Sequence, residues 1–102
     1  MSTYEKLQEL LAGPITLTPS GLTFKNLTPA IVCADGTSMS VQASEDHYST
    51  PRENEGPYTA VEVWHCGSPD LFNDYGDGEY PYAYVPIELV VQEIDRRGGF
   101  KS

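Results

Sequence analysis

The spacing of apolar residues changes several times along the chain, and each change predicts an element. Tyr4, Leu7, Leu10 and Leu11 stand at offsets of three, six and seven, which gathers them on one face of a helix over residues 3–11, stopped by Gly13-Pro14. Ile15-Thr-Leu17 and Leu22-Thr-Phe24 alternate on either side of Thr18-Pro-Ser-Gly21. This predicts a short hairpin with Ile15, Leu17, Leu22 and Phe24 on one apolar face. Residues 30–34 form a compact apolar strand, and Asp35-Gly36 predicts a tight turn with positive φ at both central residues. Residues 38–44 return antiparallel, with Met39, Val41 and Ala43 on one side and Ser38, Ser40, Gln42 and Ser44 on the other.

Residues 45–57 hold two prolines, a glycine and four carboxylates, a surface loop in composition. Alternation resumes over residues 58–66. Val61, Val63 and His65 share one face, and Tyr58, Ala60, Glu62, Trp64 and Cys66 the other. The valine face must join Met39 and Val41 in the core, which sends Trp64 to the opposite face beside Glu62 and the Ser/Gln side of the neighbouring strand. A second acidic loop spans residues 67–81, and residues 82–85 make one more short strand. Pro86 suits the first turn of a helix that places Ile87, Val90, Val91 and Ile94 together. Gly98-Gly99 ends that helix, and Arg96 and Arg97 lie in its last turn, where cations complement the dipole. The expected fold is α+β: one domain over residues 1–102, with four to six mainly antiparallel strands packed with an N-terminal and a C-terminal helix.

Charge changes this picture from fold to surface. Thirteen of fifteen carboxylates lie between Asn26 and Asp95, a stretch whose one basic side chain is Arg52. Such acidity argues against direct nucleic-acid binding or an anionic membrane, both of which need clustered Lys and Arg. With 39% hydrophobic residues the charge sits on a folded surface rather than a disordered chain. No apolar run is long enough to cross a bilayer, the N-terminus lacks a signal-peptide pattern, and a cytosolic location leaves Cys33 and Cys66 reduced.

The acid has two readings: a solvated face that maintains solubility, or a docking face for a basic partner. Taken by itself the charge favours the solvated face; the aromatic residues interleaved with it have a composition suited to a protein interface. The candidate partner-binding residues are Glu45, Asp46, Tyr48, Glu53 and Glu55 in the first loop and Glu62 and Trp64 on the strand. Asp70, Phe72, Asp74, Tyr75, Asp77 and Glu79 complete the set from the second loop. Phe72 and its neighbour Leu71 also suit the simpler role of pinning their loop to the core.

No cofactor or metal is assigned. Residues 73–79 offer three carboxylates and an amide but lack the register of a helix-loop-helix calcium loop. Cys33, His47, His65 and Cys66 have zinc-ligand chemistry at the wrong spacing. No catalytic residue is assigned either. His47, Ser49, Arg52, Glu53 and Glu55 share a loop, and turn hydrogen bonds together with pairing of Arg52 to nearby carboxylates account for them more simply.

The run from Gly36 to Val63, with its S-V-Q-A-S, H-Y-x-x-P-R and G-P-Y-x-x-V-E-V pieces, is followed by Tyr84-Val-Pro-Ile-Glu-Leu-Val90 and Gly98-Gly99. This pattern resembles small proteins without assigned activity that are encoded in tailed-bacteriophage and prophage genomes. The resemblance covers about the last two thirds of the chain and departs after Val63, where Trp64-His65-Cys66 stands. It implies a phage product acting in the bacterial host cytosol and brings no functional residues. With that origin, the acidic loops point to a non-enzymatic inhibitor of a bacterial nucleic-acid-handling or defence complex, such as a CRISPR effector or restriction enzyme. The partner would be a host protein with a basic surface, and the mechanism steric and electrostatic occlusion. A phage structural or assembly accessory protein is the alternative, and a small hydrolase using His47 is third.

Overall fold

The computed structural model describes residues 1–76 and 79–101. Helix α1 (Thr3–Ala12) begins at Ser2, whose Oγ accepts the Glu5 N–H while the Glu5 carboxylate accepts the Ser2 N–H, closing a capping box. Leu7 and Leu11 are buried and Leu10 packs beside them, whereas Tyr4 lies outside the buried stripe and is exposed. The side-chain amide of Gln8 donates to the Tyr58 carbonyl at 2.6 Å and accepts the Tyr58 N–H at 3.0 Å, fastening α1 to the start of a central strand.

Strands β1 (Ile15–Leu17) and β2 (Thr23–Lys25) form the expected hairpin as a separate two-stranded sheet. The pairing Ile15↔Lys25, Thr16↔Phe24 and Leu17↔Thr23 corrects the single apolar face. Directly opposed residues share a face, so Ile15 and Leu17 lie on one side and Phe24 on the other. Ile15, Leu17, Leu22 and Phe24 are all exposed, because the hairpin projects from the main sheet instead of packing onto it. Its base is tied down by Lys25, whose Nζ donates to the Ala43 carbonyl and lies 4.7 Å from the Tyr58 ring centre.

Strands β3 (Ile31–Val32), β4 (Ser38–Gln42), β5 (Ala60–Trp64) and β6 (Tyr82–Pro86) make an antiparallel sheet in that order, and helix α2 (Ile87–Arg96) follows β6 directly. The fold is α+β. The β3–β4 turn is longer than a two-residue turn: Gly36 N–H bonds the Cys33 carbonyl, and only Gly36 takes positive φ. Asp35 instead accepts the N–H and Oγ–H of Thr37, the local bonding by which Asp stabilises a turn. Met39, Val41, Val61 and Val63 form one core with Leu7 and Leu11 of α1 and Ile87, Val90 and Ile94 of α2. Tyr58, expected on the other face, is also buried in this core.

The unpaired edge of β3 is covered by the chain after α2, where Ala34 N–H bonds Gly99 O and Lys101 N–H bonds Val32 O. A buried ion pair secures the same corner. Glu93 is fully buried and accepts from Arg96 and from Arg97 Nε at 2.6 Å, while Arg97 also donates to the Cys66 carbonyl and to Thr37 Oγ1. The guanidinium therefore joins α2 to both the β3–β4 turn and the end of β5. Among the described residues no helix is long and apolar enough to cross a membrane.

Candidate functional site

The outer face of β4 and β5 carries Ser40 and Gln42 beside Trp64 and Glu62, paired Ser40↔Trp64 and Gln42↔Glu62 as the alternation predicts. This face is not bare. Gln42 is buried because its amide accepts the Thr28 N–H and donates to the Thr28 carbonyl, drawing residues 26–30 across the sheet. On the other side, the first acidic loop lies against β5, and the Tyr48 N–H donates to Glu62 Oε2 at 2.9 Å. Between these two coverings is a cavity of about 270 Å³, open to solvent and lined by Leu27, Ser40, Gln42, His47, Glu62, Trp64 and His65.

Glu62 is the chemical centre of this cavity. It is only 5% exposed, its Oε1 accepts the Trp64 indole N–H at 2.5 Å, and among the described residues no Lys, Arg or His pairs with it. His47 presents its ring at the cavity, with Nδ1 2.6 Å from Ser44 Oγ. Ser44 Oγ also accepts the Asp46 N–H, so the Ser44–His47 contact closes a local turn.

Two residues of unusual backbone conformation shape the site. Among the described residues, His65 (φ 54°) and Tyr84 (φ 53°) are the non-glycine residues with positive φ. His65 corrects the strand-face assignment: its left-handed backbone ends the alternation, leaving its ring exposed and turning Cys66 into the core. The ring packs near Trp64 and Tyr80, with centroids 6.0 and 5.3 Å away.

Tyr84 belongs to a bulge, because Ala83 and Tyr84 together oppose the single residue Glu62 between the pairs Val61↔Val85 and Val63↔Tyr82. The bulge aims the Tyr84 N–H at the Tyr48 carbonyl at 3.1 Å and sets the two rings 5.8 Å apart. A continuous series results: Tyr84 holds Tyr48, Tyr48 holds Glu62, and Glu62 holds Trp64.

The predicted residues do not form one patch. Tyr48, Glu62 and Trp64 meet on the outer face, and Tyr80 brings the second acidic loop to them, its ring 6.5 Å from Trp64. Glu45 and Asp46 are exposed in the loop segment that leads into His47. Glu55 lines a different cavity of about 530 Å³ against Gln8 and Glu9 of α1, and Glu53 is exposed nearby in sequence. Asp70 lines a third cavity with Glu93 and Arg96. Asp74 and Glu79 are exposed and Tyr75 is half-buried. Phe72 is fully buried, edge-on to Tyr82 at 5.8 Å, so its place is in the core and not on a docking surface. Asp77 lies outside the described residues, as does Gly78 of the calcium candidate.

Among the described residues no three His, Cys, Asp or Glu side chains are grouped to hold a metal. The loop constellation of His47 and Ser49 is not assembled, since Ser49 Oγ is buried against the carbonyls of Ser44 and Pro51. Arg52 bonds the Glu45 carbonyl and lies over the Tyr48 ring, 5.3 Å from its centre, in place of the expected carboxylate pairing. Sequence reasoning did not place Leu27, His65 or Tyr84 at the site. Neither the bulge nor the path of residues 26–30 has a signal in the local pattern. Comparison of the chain with protein-family models, with curated proteins and with solved structures finds no significant match to any of them.

Proposed function

We propose that the protein is a non-enzymatic binding protein, encoded by a phage, that occludes a basic site on a bacterial nucleic-acid-handling or defence complex in the host cytosol. One observation carries this reading: both acidic loops are fastened to the same face of β5, the first through Tyr48 to Glu62 and the second through Tyr80 against Trp64. Exposed carboxylates of these loops, such as Asp46 and Glu79, provide the long-range attraction that accelerates encounter with a basic surface, while the aromatic side chains supply short-range affinity. The test is a pull-down from bacterial lysate at low salt with the wild-type chain and with a variant carrying Asp46→Lys and Glu79→Lys. The reading expects a stoichiometric host protein that is lost on raising salt and on charge reversal. Failure to recover such a protein at low salt would overturn it.

A second reading, a phage assembly protein, draws on the projecting hairpin. Residues 10–34 contain no carboxylate, and within them Leu17, Leu22 and Leu27 are each about 70% exposed. This acid-free apolar element is where copies of a strongly acidic chain can approach without opposing their charges. Detection of the protein in purified virions by mass spectrometry supports this reading, and its absence removes it.

A further inference from the structure

We infer that the cavity on the outer face of β4 and β5 receives a guanidinium group, that of an arginine side chain inserted by the binding partner, with Glu62 as its counter-ion and Trp64 as its stacking surface. The inference rests on the partner-binding reading above and names the chemistry its central site recognises.

Glu62 retains unused hydrogen-bonding capacity. Glu62 accepts one bond on each oxygen, whereas a carboxylate has about four acceptor positions. Of the cavity's other polar side chains, Gln42 directs its amide to Thr28 and to Ser40 Oγ. His47 Nδ1 is engaged by Ser44. The wall thus offers acceptors and a negative charge, buried and without a cation among the described residues. Such a charge is costly unless paired, and a donor-rich cation entering the cavity would pair it.

Geometry selects among cations. A metal ion would need several hard oxygen or nitrogen ligands, and among the described residues no such group exists. An ammonium is strongly hydrated and loses more on entering a cavity walled by Leu27 and Trp64 than the weakly hydrated, planar guanidinium does. A guanidinium also stacks on an indole, and Trp64 lines this cavity with its N–H bonded to Glu62. The volume, about 270 Å³, accommodates the end of an arginine side chain. The two positive-φ residues, His65 and Tyr84, flank this assembly, and backbone strain of that kind persists where a site needs its groups held in place.

The experiment titrates ethylguanidinium into the full chain. The signals are the fluorescence and indole N–H resonance of Trp64, the one tryptophan in the sequence. A saturable shift is expected, with ethylammonium weaker. Glu62→Gln should weaken ethylguanidinium binding by roughly thirtyfold or more, and Trp64→Leu, read by the Tyr48 amide resonance, by about tenfold. Trp64→Leu keeps the carboxylate and serves if Glu62→Gln fails to fold. No saturable shift in the wild type, or equal affinity in a folded Glu62→Gln or Trp64→Leu chain, would overturn the inference. The two proposals fail separately. A host protein captured equally well by wild type and Glu62→Gln sinks the arginine site and leaves the binding function intact; saturable ethylguanidinium binding without any captured host protein does the reverse.

Discussion

The indole N–H of Trp64 donates to the carboxylate of Glu62 two residues earlier on β5, at 2.5 Å. Residues i and i+2 of a strand share a face, so the sequence spacing alone makes this contact available. Burial makes it consequential. Glu62→Ala leaves the Trp64 and Tyr48 N–H groups without their acceptor and should lower stability by about 1–3 kcal/mol. Urea denaturation followed by Trp64 fluorescence checks this; an unchanged midpoint would show that those donors find water at no cost.

The Glu93–Arg97 pair predicts a larger effect. Removing one member strands a buried charge, so Glu93→Ala should cost about 3–5 kcal/mol. Burial pushes the Glu93 carboxyl up, but its bonds from Arg96 and Arg97 outweigh that and hold it below its ordinary 4.5. A lowered carboxyl contributes stability that is fully present above pH 4.5 and lost as pH falls through the folded-state value. Wild type should therefore lose stability below that pH more steeply than Glu93→Gln, measured by denaturation midpoints across pH 2–6.

Lys25 should titrate far below an ordinary lysine. Burial lowers its ammonium from 10.5 to about 8. Between those values the unfolded chain holds the proton and the folded chain does not, so this group makes stability rise with pH over that window. Direct NMR titration of the Lys25 side chain tests it, and a midpoint near 10.5 would mean that the hairpin base is open to water.

Neither cysteine should react readily. Cys66 is pushed up to about 11 and Cys33 is also raised, in both cases by burial. The thiolate is the reactive species, so little of either is present at neutral pH. A thiol-exchange reagent should label both only as fast as the protein unfolds; rapid labelling of the native chain would contradict their burial.

Gly98 should not tolerate a side chain. It has φ 92°, and a Cβ there would sit 3.0 Å from the Ala34 methyl. Gly98→Ala should cost about 1–3 kcal/mol from backbone strain, with the contact adding to it. Gly13→Ala, in open space at negative φ, provides the control, and equal thermal midpoints for the two variants would refute the assignment.

The sequence by itself determined the order and type of the main elements. The apolar spacing of Leu7 and Leu11, the alternation of Met39 and Val41 and of Val61 and Val63, and the Ile87, Val90, Ile94 stripe all report burial, which each element's own period records. It also placed Trp64 and Glu62 together, because two residues on one strand have a fixed relation. Tertiary structure alone decided which loops cover that face, that Phe72 is core and that the hairpin projects with its apolar residues on both sides. It likewise decided that Tyr84 reaches Tyr48 through a bulge and that left-handed His65 sends Cys66 inward. These depend on contacts between segments distant in sequence, where no local period exists to be read. The charge was legible as an amount and a location along the chain. That Glu62 is buried without a cation among the described residues, and thereby differs from the exposed carboxylates around it, follows only from what folds over it.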